Sequence, residues 1–305
     1  LNDKLITAFA QDRVRVPRIF TLAIDQLRVP AKDGEEGLAT DRATVSGRLT
    51  LNGESVGPMR EGTPLVRTFD IGYTADAAGP SIGLDGQTAI DNATITLAQH
   101  VRMITADEAS PVPALARLRP EGTITIELPN MEVLAPFLAD HLAKINAALG
   151  GALTTTITTK PESNGFTAAI AARSPCVTAD VAMRTTPESI AVEPSTITSK
   201  LTTALAEALL PPNLDENGQR VDGPSLTKQG TLALPNLKAT IPFGEDGSLK
   251  TDAITAGGSL AIEGSPTLRL KQEAAGMTIA ELTANFTAAL GEALDVSANG
   301  STRLT

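Results

Sequence analysis

The run GESVG, residues 53–57, has the Gly-x-Ser-x-Gly spacing of a nucleophile elbow. That chemistry needs a strand leading into a sharp turn and a helix straight after it, so that Ser55 stands exposed for attack on an acyl carbonyl. A strand-like segment precedes Ser55, but PMREG follows, and Pro58 and Gly62 do not open a helix. The segment reads as a hairpin loop. His100 and His141 are the only histidines, one at the end of a strand-like segment and one on a helix-like segment, and two isolated histidines are more often ordinary surface or edge residues than a base or metal ligands. NLDENG (213–218) copies the start of a calcium loop with Asn213, Asp215, Asn217 and Gly218. The twelfth place, which should be a bidentate Glu, is Pro224, and the apolar eighth place is Arg220, so a polar turn is the better reading. The single cysteine, Cys176, excludes an internal disulfide framework and a multi-cysteine metal site. There is no CxxC, no HExxH and no phosphate-cradling glycine loop. Asn92, Asn285 and Asn299 begin glycosylation-type triplets of a kind frequent by chance. No catalytic residue, metal ligand or cofactor is therefore expected, and the chain reads as a protein that is not an enzyme.

The elements that would have to carry a site are legible from periodicity. TITIELPN (123–130), NATITLAQHVRM (92–103) and FTAAIAARSPCVTADVAMR (166–184) alternate aliphatic and polar residues, with Gln99 as an exception. That is the pattern of antiparallel strands with one dry and one wet face, and Thr suits the wet one. Asn52-Gly53, Asp85-Gly86, Asn164-Gly165, Asp246-Gly247 and Asn299-Gly300 read as turns. Four segments show an i, i+4 stripe and read as short amphipathic helices: 5–13, 145–153, 201–209 and FTAALGEAL (286–294). Supporting signals are Thr278 and Glu281 at capping-box spacing, Pro136 at a first helical turn, and Pro211-Pro212 as a stop.

A longer similarity runs through the chain. GLATDRATVSGRLTLNG (37–53) lies without a gap over SLKTDAITAGGSLAIEG (248–264), and TLAIDQLRVP (21–30) resembles TLALPNLKATIP (231–242). The implied unit is a helix followed by strands, loosely repeated, with uneven spacing that excludes a strict solenoid. The domains expected are 1–110, a helix plus a strand unit; 111–210, a strand unit with helices at 136–149 and 198–210; and 211–305, a repeat of the first. Weak boundaries fall near 105–120 and at the 211–228 loop. A chain beginning at Leu1 and stopping at Thr305 inside a strand-like segment reads as an interior or processed piece of a longer one.

The bulk composition narrows the partners. A formal net charge of −10 repels phosphate backbones, so nucleic acid is not an expected partner. No apolar run approaches the roughly 18 residues of a membrane span. With no Trp, one Tyr and seven Phe, the apolar mass is Leu, Ile, Val and Ala, which favours a thin interior. The expected fold is mainly β with short amphipathic helices (α+β): a curled antiparallel sheet whose dry face lines a trough. Such a face can shelter lipid tails, since at about 0.8 kcal/mol per CH₂ a chain of a dozen carbons gains on the order of 10 kcal/mol on leaving water. The residues expected to face lipid are Ile24, Leu49, Leu51, Ile95, Leu97, Ile124, Ile126, Leu128, Val181, Leu260 and Ile262.

Phrases such as ATVSGRLTLNG and GGSLAIEG, with Ala/Leu helices between them, resemble the AsmA-like proteins of bacterial envelopes, which include the TamB-type proteins and are related to bridge-like lipid-transfer proteins. The resemblance is one of style along most of the chain. It implies a taco-shaped sheet, a periplasmic location in the envelope of a Gram-negative-type bacterium, and phospholipid or another lipid as partner, in lipid transport or outer-membrane assembly. Membrane association would come through segments outside this sequence. The alternative is a structural or adhesive surface protein of closed β-sandwich repeats; a hydrolase using Ser55 is a third, weaker reading.

Overall fold

The computed structural model describes residues 20–34, 36–56, 64–90, 92–104, 113–134, 142–203, 205, 225–269, 276–290 and 294–304. The fold is mainly β and antiparallel. The chain forms two compact units: Leu1–Leu142 with Leu153–Ala168, and Ala143–Ala152 with Ala169–Thr305.

In the first unit, β1 (Phe20–Arg28), β2 (Thr44–Val56), β3 (Pro64–Asp76), β4 (Ser81–Ile90), β5 (Ala93–Met103), β6 (Leu118–Leu128) and β7 (Leu153–Glu162) pair in chain order. Consecutive strands usually pair or lie side by side, and here they do so even across the longer connections after β1, β5 and β6. β8 (Gly165–Arg173) carries the chain onward. In the second unit, β9 (Val177–Thr185), β10 (Ser189–Leu201), β12 (Gly230–Pro242), β13 (Thr255–Glu263), β15 (Gly276–Leu290) and β16 (Leu294–Leu304) pair in that order. The short β11 (Ser225–Lys228) pairs β14 (Thr267–Arg269), which pairs the start of β15. Bulges interrupt β1 at Ile24/Gln26, β10 around Pro194, and β12 between Ala233 and Lys238. Each bends its strand, so each unit's sheet curls locally.

The helix expectations fare unevenly. The helix α1 (Leu142–Leu149) forms, and Gly150 (φ 81°) and Gly151 (φ 97°) end it. Glycine accepts the left-handed turn that closes a helix, and the Gly150 amide bonds back to the Asn146 carbonyl. The 145–153 stripe therefore stops at Leu149, and Leu153 opens β7. The helix expected over 198–210 cannot begin before Thr203, because Thr198 lies inside β10, which runs to Leu201. Thr203 and Leu205 are helical, and the Thr202 hydroxyl accepts the Leu205 amide as a cap. FTAALGEAL is not a helix. Residues 286–290 end β15 and Leu294 opens β16. Its letters satisfy period 2 as well as period 3.6: Leu282, Ala284, Phe286 and Ala288 are half-buried while Thr283, Asn285, Thr287 and Ala289 are exposed. Pairing with β13 and β16 overrides the helix preference of Ala and Leu. Thr278 and Glu281 lie inside the same strand rather than at a helix cap. Residues 5–13 and 136–141 lie outside the described residues.

Three of the expected glycine turns are also strand interiors. Asn52-Gly53, Asp85-Gly86 and Asn299-Gly300 fall within β2, β4 and β16. A Cβ on Gly86 (φ 151°) would collide with the Asp70 carbonyl of β3, and one on Gly300 with the Thr283 carbonyl of β15. These glycines serve close backbone approach within the sheet instead of chain reversal. Asn164-Gly165 and Asp246-Gly247 do lie at turns. At the second, the Ser248 hydroxyl and amide both donate to the Asp246 carboxylate and hold its pKa below the usual carboxylate value.

Buried contacts gather at the ends of β6. Ala116 and Arg119 are buried at its start, and Met131 and Val133 just past its end. The Arg119 guanidinium donates to the carbonyls of Ala116, Leu118 and Ser163, tying the start of β6 to the turn after β7. Burial, and then the neighbouring Arg102, lower the pKa of Arg119.

Candidate functional site

Register decides which side chains share a face, because paired residues of adjacent strands point the same way. Across the first unit, Leu22, Leu49, Ile71, Gly86, Leu97, Ile124 and Ile157 lie side by side from β1 to β7. Two residues along, Ile95 pairs Ile126, and Leu128 pairs Leu153 beyond it. In the other direction lies a row of Leu27, Val45, Ala75, Ile82 and Val101. With strands about 4.8 Å apart, the seven strands make an aliphatic face roughly 30 Å wide. The opposite face carries Thr21, Thr50, Asp70, Gln87, Thr96, Thr125 and Thr156 in one row.

The aliphatic face is unevenly covered. Ile71, in the middle strand, is 5% exposed. Leu49, Ile95, Leu97, Val101, Ile124 and Ile126 are half-buried. Leu22, Ile24 and Leu27 on β1 are more than half exposed, as is Ile82; Leu84 and Met103 are exposed to a lesser degree. Apolar side chains turned to water on one face, grouped on β1 and again on β4 and β5, are more than scattered surface residues.

Of the residues singled out from sequence, Ile24, Leu49, Ile95, Leu97, Ile124, Ile126 and Leu128 thus share one face of the first unit. Leu51 takes the matching register of β2, opposite Phe20 and Phe69. In the second unit, Ile262 pairs Leu232 and Leu282, Leu260 pairs Ala284, and Leu232 is across from Ser199, which is across from Val177. Val181 falls on the half-buried alternation of β9 that starts at Val177. Leu27, Ile82 and Leu84 belong to the first unit's face and were not singled out. The alternation in SIGLDGQTAI carried the signal for the last two, but Asp85-Gly86 read as a turn. Leu27 is moved into phase by the β1 bulge, which adjacent letters do not announce.

A polar row crosses this face. Ile24, Gly47, Tyr73, Leu84, Gln99, Gly122 and Thr159 are aligned. Tyr73 lies over Gly47 and donates its hydroxyl to the Ala23 carbonyl at 3.2 Å. A Cβ on Gly47 would collide with that ring and that carbonyl, so the glycine is what admits the tyrosine. The Gln99 amide donates to the Thr159 hydroxyl at 2.7 Å.

The polar face has its own depression, about 530 Å³, over Gly72, Gly83 and Ala98, with Asp25, Asp85, His100 and Glu121 among its walls. Arg48 and Asp70 form a two-pronged ion pair nearby. The hydrogen bond and charge of Asp70 raise the Arg48 pKa, with smaller help from Asp25 and Asp85, and the Arg48 hydrogen bond lowers that of Asp70. Among the described residues no group of His, Cys, Asp and Glu is placed to hold a metal ion. His100 pairs Gly83 and Glu121 inside β5 and is not at its end. Ser55 pairs Leu65, and the next described residue after β2 is Pro64, the start of β3, so no strand–turn–helix surrounds it among the described residues. His141 and residues 213–224 lie outside the described residues. Cys176 is a partly buried free thiol at the turn before β9, packed against Gly150.

No helix among the described residues is long and apolar enough to cross a membrane. No protein-family model, curated protein or solved structure matches the chain.

Proposed function

We propose that the aliphatic face shelters lipid acyl chains and that the protein works without enzymatic chemistry, as a segment of an AsmA-like envelope protein in lipid transport or outer-membrane assembly. The observation that supports this most is the open state of the face: Leu22, Ile24, Leu27 and Ile82 stand in water in register with half-buried neighbours. Ile82 is the telling one, because it lies on the inner strand β4, where a closed sandwich would enclose it. An acyl chain needs no specific polar ligand, which agrees with a face built mainly of Leu, Ile and Val. The periplasm and a phospholipid partner belong to the same proposal and rest on the resemblance.

Native mass spectrometry with lipid extraction, followed by titration with a fluorescent fatty acid, tests it. The reading expects co-purifying lipid and saturable uptake. Ile126→Asp or Ile95→Asp should abolish uptake while the β-rich circular dichroism persists. A lipid-free protein that rejects the probe, and that unfolds on the same substitutions, is the closed structural or adhesive protein instead, since a charge would then enter a sealed core.

A further inference from the structure

The stretches from β1 to β2 and from β12 to β13 follow the same sequence of events. After β1, Ala31 bridges Leu38, Thr40–Arg42 make a 3-10 turn, and β2 begins at Thr44. After β12, Phe243 bridges Leu249, Thr251–Ala253 make a 3-10 turn, and β13 begins at Thr255. The residue entering each turn has nearly the same backbone: Ala39 at φ −85°, ψ 83°, and Lys250 at φ −81°, ψ 81°. Leu38 and Leu249, aligned in the sequence, are both exposed. β1 is bulged after Ile24, and β12 has its irregularity from Ala233, next to the aligned Leu234.

The two differ in their neighbours and by two places in the inner register, since Leu22 pairs Leu49 whereas the aligned Leu232 pairs Ile262 and not Leu260. β12 has β13 on one side and β10 on the other. Among the described residues β1 pairs only β2. Among the described residues the outer side of β1 has no paired strand, and its backbone groups are placed to pair. The Ala23 carbonyl points toward β2, since it lies against Gly47 and accepts the Tyr73 hydroxyl. Backbone groups alternate along a strand, so the amides of Leu22 and Ile24 point off the sheet. We infer that β1 and β12 are copies of one unit, and that the outer edge of β1 is a docking site for an extended, antiparallel polypeptide segment of the β10 type. That is strand addition, in which backbone bonds supply affinity and alternate side chains supply register. The register carries over from β12: Leu232 faces Ser199 and Leu234 faces Ile197, so Leu22 takes a small hydroxyl residue and Ile24 takes a branched aliphatic. Leu27, aligned with Leu237, takes the counterpart of Ser195. The inference does not depend on the face binding lipid.

The probe is a synthetic peptide of residues 189–201, SIAVEPSTITSKL, titrated against the whole chain, with hydrogen exchange read at β1. Binding should slow exchange of the Leu22 and Ile24 amides at least tenfold. Two N-methylated peptides, blocked at alternate residues in opposite phases, separate strand pairing from greasy adsorption: one phase should bind and the other should not. Leu22→Pro, which removes an outward amide without touching the β2 ladder, should lose the peptide. If that variant does not fold, the N-methyl pair still decides the matter. No protection, equal binding by both phases, or β1 amides already protected in a self-associated chain that the peptide does not displace would each overturn the inference.

Discussion

β1 and β12 spell nearly the same strand, TLAI and TLAL, yet meet opposite conditions. Leu232 and Leu234 are half-buried between two neighbouring strands, while Leu22 and Ile24 are more than half exposed at an edge. The letters set which side of the sheet each residue faces. The number of neighbours sets how much water it loses. At the edge, a side chain lacks the cover that a second neighbouring strand supplies.

The comparison can be broken by substitutions in matched pairs. The largest difference is expected from charge: Leu234→Asp should destabilise the chain by about 2–4 kcal/mol, while Ile24→Asp should cost under about 1 kcal/mol, since an exposed carboxylate keeps its hydration. Thermal melts of the pair check this, and equal losses would mean that the β1 face is covered in solution. Within one row, Ile71→Ala should cost roughly 3 kcal/mol and Leu22→Ala less than about 1 kcal/mol, by denaturant titration. Gly47→Ala, which forces Tyr73 off its seat, should cost about 1–3 kcal/mol and release the β1 edge, visible as faster exchange at β1. The smallest effect concerns pH. The pKa of Asp70 is lowered by folding, so its contribution is complete above the ordinary Asp value of about 3.9 and is lost as pH falls through the lowered one. Asp70→Asn should therefore flatten that part of the acid stability curve. Both partners are about half exposed, so the change should be slight.

Much of the sheet was legible because alternation survives in any strand with one dry face. Ile95, Leu97, Ile124 and Ile126 could be placed on a common face from TITL and TITI alone. Two kinds of information were not local. FTAAL fits a helix and a strand equally, and only the presence of β13 and β16 decides between them. Glycines after Asn or Asp look like turns, but at Gly86 and Gly300 the demand comes from the backbone of an adjacent strand. The bulge at Asp25, which brings Leu27 onto the apolar face, is likewise invisible without its partner. The polar depression escaped notice for a simpler reason: its floor is Gly72, Gly83 and Ala98, three small residues on three strands, and no local pattern of letters links them.

Tyr73 is the one tyrosine in a chain without tryptophan. Its phenol bridges from β3 over β2 to β1. The intrinsic ultraviolet emission above the phenylalanine background therefore reports a single spot, the seam where the edge strand is fastened. Opening of that seam would change the signal before global denaturation does, and a molecule stacking on the polar row would quench it, so no added label is required to watch either event.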